Sequence, residues 1–157
     1  MVTYAAGERG DGMSTDSQDS ILEMDAKVSN IMKDIRSRLN SLYDKYLTDD
    51  RKLPKLPSYD SMIKDTRVRY NASKTLTELI DELIQMKLRV SLVSKQISSM
   101  RNIQITSKGN YTLISNFKNN LKSYDEELSE ARYELSDLIK NANNKVRILD
   151  SVSFYDF

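Results

Sequence analysis

The helical character of the chain is clearest in residues 76–100, which read LTELIDELIQMKLRVSLVSKQISSM. Apolar residues recur here at alternating spacings of three and four, and this period places them on one face of an α-helix. A series that stays regular over several heptads is typical of coiled coils. Its members are Leu76, Leu79, Leu83, Met86, Val90, Val93, Ile97 and Met100. We therefore predict a long helix with a single apolar seam.

The same apolar period occurs on both sides of this stretch. Ser20 and Glu23 form a capping box that opens the first of these segments. The other segment follows Gly109. Within the central helix, Thr75 and Glu78 have the spacing of a second capping box, which suggests a kink near Ala72. We predict an all-α fold with three helices, over residues 20–48, 60–104 and 112–149.

Glycine and proline are scarce, with four and two residues, and they mark the breaks between these helices. Pro54 and Pro57 oppose helix in a linker over 51–58. Gly109 provides the turn at a tip over 105–111, so the last two helices are expected to form an elongated antiparallel coiled-coil hairpin. We expect a single helical domain over 20–157 between a disordered tail at 1–19 and a C-terminal tail at 150–157.

The tip allows a second interpretation. From Ile103 to Leu113 the apolar residues alternate with period two around Gly109. This alternation is also typical of a short β-hairpin. A small β-hairpin near Gly109 is therefore the alternative to a simple turn.

The composition excludes many kinds of chemistry. The chain has no Cys, His or Trp, so it cannot form a Ser-His-Asp triad, a Cys/His zinc site or a thiol redox centre. Its clustered acidic residues have the spacing of a solvent-exposed helix face. We predict that the protein is not an enzyme, with no catalytic residue, metal or cofactor.

The charge pattern is uneven although the net charge is only +1. No acidic residue occurs between Glu82 and Asp125, whereas seven basic residues do: Lys87, Arg89, Lys95, Arg101, Lys108, Lys118 and Lys122. A basic hairpin tip predicts nonspecific binding of nucleic acid or another anionic surface. Charges on a solvated helix face are the simpler interpretation.

The seams themselves predict a function in protein assembly. Ile80, Ile84, Leu88 and Leu92 lie off the main seam, so the first helix, a second copy or another protein must cover them. We expect a scaffold subunit of a larger cellular or viral complex, a homo- or hetero-oligomer, intracellular and without a transmembrane segment. The predicted interface seam consists of Leu79, Leu83, Val90, Val93, Ile97, Leu121, Leu128, Leu135 and Leu138.

A helix, a hairpin tip and a second helix in an antiparallel coiled coil form an arrangement that resembles prefoldin subunits. That resemblance implies a holdase chaperone as a further alternative function. It implies no particular site residue in this chain.

Overall fold

The computed structural model describes the backbone of residues 10–102 and 111–154 and the side chains of 20–102 and 111–152. These residues form four helices and no strand, so the predicted all-α fold is confirmed. The predicted β-hairpin near Gly109 lies outside the described residues. The helices are α1 (Gly10–Tyr46), α2 (Tyr59–Lys64), α3 (Thr66–Asn102) and α4 (Tyr111–Phe154).

Helix α1 begins at Gly10, ten residues before the predicted start at Ser20. Residues 10–19 are thus helical, where the sequence predicted part of a disordered tail. The segment contains no proline, and its Ser, Thr and Asp residues each cost only about 0.7 kcal/mol or less in a helix, while Gly12, close to the helix start, costs about 1 kcal/mol. The capping box at Ser20 therefore does not set the start of the helix.

The break in the predicted second helix lies at Asp65 rather than near Ala72. Asp65 is extended (φ −137°, ψ 106°) and separates the six-residue α2 from α3. Its carboxylate accepts the backbone N–H of Arg67 at 2.9 Å, which caps the first turn of α3. Hydrogen bonds from Arg67 hold the pKa of this carboxyl below its ordinary value. One residue thus ends one helix and opens the next.

Helix α4 continues to Phe154, five residues beyond the predicted end. Its last turns carry Leu149 and Val152, which are both buried. Because burial of these side chains stabilises the last turns, the helix extends into the segment predicted as a C-terminal tail.

The linker between α1 and α2 contains a tight turn at residues 48–52. The Thr48 hydroxyl donates to Asp50 Oδ1 at 2.7 Å, and the Arg51 N–H donates to the Thr48 carbonyl at 2.8 Å. Arg51 has a φ of 61°, in the left-handed region that costs a non-glycine residue free energy. The Ser58 hydroxyl then accepts the N–H of Ser61 and caps α2.

The described chain divides into two compact units, and each combines parts of α1, α3 and α4. The first unit comprises Met1–Ile35 and Leu92–Ser129, and the second comprises Arg36–Ser91 and Glu130–Phe157. Each has its own apolar core. The first core includes Val28, Met32, Phe117 and Leu121, and the second includes Leu42, Leu83, Leu135 and Leu149.

Candidate interaction surface

All nine residues of the predicted interface seam are buried within the chain itself. Val93, Ile97, Leu121 and Leu128 lie in the core of the first unit, and Leu79, Leu83, Val90, Leu135 and Leu138 lie in that of the second. No partner chain is needed to cover them. The seam therefore contributes to the folded core, and an interaction surface has to be sought elsewhere.

Helix α3 carries a second apolar row that the described chain leaves uncovered. Ile84 is 42% exposed and Leu88 is 61% exposed, while Ile80 is half-buried one turn earlier. We call Ile80, Ile84 and Leu88 the α3 ridge. Side chains spaced by four residues form a row along a helix, and such rows interdigitate when two helices pack at a crossing angle of about 50°. Leu92, the next residue at this spacing, is also exposed.

Charge changes sign along the α3 ridge. Three acidic residues, Glu78, Asp81 and Glu82, lie at its N-terminal end, and all three are exposed. Lys87 and Arg89 lie on either side of Leu88 at its C-terminal end. Lys45 of α1 lies near Glu82 and Glu78 and offsets part of their charge. The ridge thus has an acidic half, in which Asp81 contributes a third carboxylate, and a basic half.

The described basic residues that were predicted to bind anions are divided between the two units. Lys95, Arg101, Lys118 and Lys122 belong to the first unit, Lys87 and Arg89 to the second, and Lys108 lies outside the described residues. Among the described side chains of the first unit, six basic residues are balanced by six acidic residues, and α1 contributes acidic side chains such as Glu23 and Asp25. A phosphate backbone would therefore meet no net positive charge from these side chains.

Three polar contacts of the first unit connect the stretch between Glu82 and Asp125 with acidic residues. Arg101 forms an ion pair with Asp125 at 2.7 Å, and Ser94 donates to the same carboxylate at 3.4 Å. Asn120 donates to Asp25 on α1 at 3.3 Å. Since Arg101 is paired in this way, its charge is partly neutralised within the first unit.

In the second unit, the aromatic residue Tyr43 is buried together with its hydroxyl group. Its hydroxyl makes no hydrogen bond of good geometry in the described structure, although the Glu134 carboxylate lies close to it. Burial raises the pKa of Tyr43 above its ordinary value, and the nearby carboxylate of Glu134 raises the pKa further. The Arg51 guanidinium lies 5.1 Å from the ring centroid, and it donates to Asn40 Oδ1 at 3.2 Å.

Metal-binding groups and membrane-spanning helices are both absent from the described residues. These residues contain no group of three or more Asp or Glu side chains arranged to hold a metal ion. None of their helices is long and apolar enough to cross a membrane.

Comparison with protein-family models, curated proteins and solved structures found no match. A function for this chain therefore has to be argued from its own surfaces. The α3 ridge is the clearest of these, and its signal in the sequence was the set of apolar residues off the main seam.

Proposed function

We propose that the protein is a non-enzymatic helical subunit that assembles with a second copy of itself through the α3 ridge. The observation that carries this proposal is the exposed pair Ile84 and Leu88 between an acidic and a basic half of the same helix. The antiparallel coiled-coil pairing of α3 with α4 is part of the proposal, and burial of the seam residues supports it.

Antiparallel pairing of two α3 ridges satisfies both the apolar and the charged residues. The twofold axis then crosses α3 at the level of Met86, which itself belongs to the main seam. Ile84 of one copy faces Leu88 of the other, and the reverse contact follows by symmetry. The acidic half, with Asp81 and Glu82, then lies against the basic half, with Lys87 and Arg89. A parallel pairing would oppose like charges, which is unfavourable.

The size of the ridge indicates the strength of this assembly. Full burial of a Leu or Ile side chain contributes about 1.5–3 kcal/mol relative to exposure. Both side chains are already partly covered, and association also costs translational and rotational freedom. We therefore expect a concentration-dependent dimer rather than an obligate one.

The experiment is a measurement of molecular mass against protein concentration by analytical ultracentrifugation. The wild-type chain should move from its 18.1 kDa monomer to twice that mass as concentration rises. Leu88→Asp should remain monomeric with unchanged helicity, because a charge at an exposed position does not disturb the core. Tyr70→Asp is the matched control, since Tyr70 is 66% exposed on the same face of the same helix but lies ten residues before the start of the ridge.

Charge exchange tests the orientation of the two copies. The double variant Lys87→Glu with Arg89→Glu should weaken the dimer, because acidic residues would then face acidic residues. Adding Asp81→Lys and Glu82→Lys should restore it, since opposite charges face each other again. A wild-type chain that stays monomeric at the highest attainable concentration would refute the proposal, as would Leu88→Asp and Tyr70→Asp behaving alike.

A further inference from the structure

A second feature, independent of the α3 ridge, is an apolar cavity beneath the proline-containing linker. The cavity has a volume of about 410 Å³ and lies entirely within the second unit. Small-molecule sites typically occupy about 300–1,000 Å³. Its size is therefore sufficient for a small organic ligand.

The walls of this cavity are mostly apolar. Pro54, Leu56 and Pro57 of the linker form one side. The first turns of α3 form the other side, where the buried side chains of Leu76 and Leu79 line the cavity. The two prolines fix their own φ angles, which restricts the conformations open to this side of the cavity.

The polar residues of the cavity are few, and all are exposed except Tyr46 of α1, which is half-buried. Asn71 and Thr75 line it from α3, and Lys55 lines it from the linker. Lys55 is the only charged residue among the lining side chains, and no acidic side chain is among them. An anionic group placed near Lys55 would therefore meet a cation and no opposing carboxylate in the lining.

We propose that this cavity binds a small molecule with an apolar chain and an anionic head group, of which a medium-chain carboxylate is the simplest example. The chain enters between the two prolines and the α3 residues Leu76 and Leu79, where water is displaced from apolar surface. The carboxylate remains at the exposed edge beside Lys55. The ammonium of Lys55 attracts it there without the cost of burying a charge.

Isothermal titration calorimetry with decanoate, below the concentration at which it forms micelles, tests the proposal. We expect saturable binding at one site per chain, with affinity that increases about two- to fourfold for each methylene added from hexanoate to decanoate. Decyltrimethylammonium, which has the same chain and a positive head group, should bind more weakly than decanoate.

Variants at the edge and in the interior of the cavity separate the two contributions. Lys55→Glu should weaken decanoate binding by about fivefold or more and strengthen that of the cationic ligand. Lys52→Glu is the control, since Lys52 is an exposed residue of the same linker that does not line the cavity. Ala72→Phe should abolish binding of both ligands by filling the cavity, with circular dichroism confirming that the chain is folded.

Two results would overturn the proposal. One is the absence of saturable decanoate binding to the wild-type chain. The other is equal affinity of Lys55→Glu and Lys52→Glu for decanoate, because the head group would then not lie beside Lys55. The variants leave the α3 ridge unchanged, so the ligand site and the dimer are tested separately.

Discussion

Replacement of Leu83 by alanine tests the division of α3 into a buried seam and an exposed ridge. Leu83 is fully buried, with 0% of its surface exposed, whereas Leu88 lies on the ridge of the same helix and is 61% exposed. The same substitution at both positions changes helix propensity equally, since leucine and alanine are both good helix formers. Any difference between the two variants therefore reports burial.

The expected effect at Leu83 follows from the atoms removed. Leu→Ala removes the equivalent of about three methylene groups, at about 0.8 kcal/mol each, and this gives about 2.4 kcal/mol of lost transfer free energy. A residual cavity adds about 24 cal/mol per Å³ of its volume, so we expect a total loss of about 3–4 kcal/mol. Leu88→Ala should cost less than about 1 kcal/mol.

The assay is urea unfolding followed by circular dichroism at low protein concentration, where the proposed dimer is dissociated. For a chain of 157 residues a stability of about 8 kcal/mol or more is typical, so Leu83→Ala remains folded and measurable. With a slope of about 1–3 kcal/mol per molar urea, its midpoint should fall by about 1 M or more. Equal midpoints for the two variants would refute the assignment of seam and ridge.

Two further predictions concern the contacts of the second unit. Arg51→Gly should leave the chain more stable than Arg51→Ala by about 1 kcal/mol in thermal unfolding, because only glycine adopts the left-handed φ of 61° at that position without strain; equal stability would contradict this reason. Tyr43→Phe should change stability at pH 7 by less than about 1 kcal/mol, because the buried hydroxyl that it removes makes no hydrogen bond of good geometry but lies close to the Glu134 carboxylate. Since the pKa of Tyr43 is raised on folding, its contribution to stability is complete below the unfolded value of 10.0 and declines as pH rises above that value. Tyr43→Phe should remove this part of the alkaline destabilisation, which unfolding at pH 9 and pH 11 measures.

The apolar period predicted the helical class and the buried seam because burial of one face determines both. Every seam residue, from Leu79 to Leu138, lies in the core. The same period places Ile84 and Leu88 outside the main seam. It left open whether α1 would cover them, because the period of one helix does not specify which neighbour packs on each side.

Helix boundaries and charge distribution were less accessible from the sequence. The break at Asp65 depends on one carboxylate that accepts the Arg67 N–H, and Asp65 is not flanked by Gly or Pro. The stretch between Glu82 and Asp125 is basic along the chain, but sequence order does not show which acidic residues lie near it in the fold. Residues distant in sequence, such as Asp25 beside Asn120, bring acidic groups to the same unit.

The composition of the two units has a consequence for the newly synthesised chain. Neither unit is continuous in the chain, because residues 36–91 separate the two stretches of the first unit and residues 92–129 separate those of the second. Ribosomes add about 5–20 residues per second. Roughly 5–20 s therefore pass between synthesis of the start of α1 and completion of Leu92–Ser129. During that interval the apolar face of α1 has no native partner from the first unit's second stretch. Protection of this face from aggregation during translation is therefore a requirement that the topology itself creates.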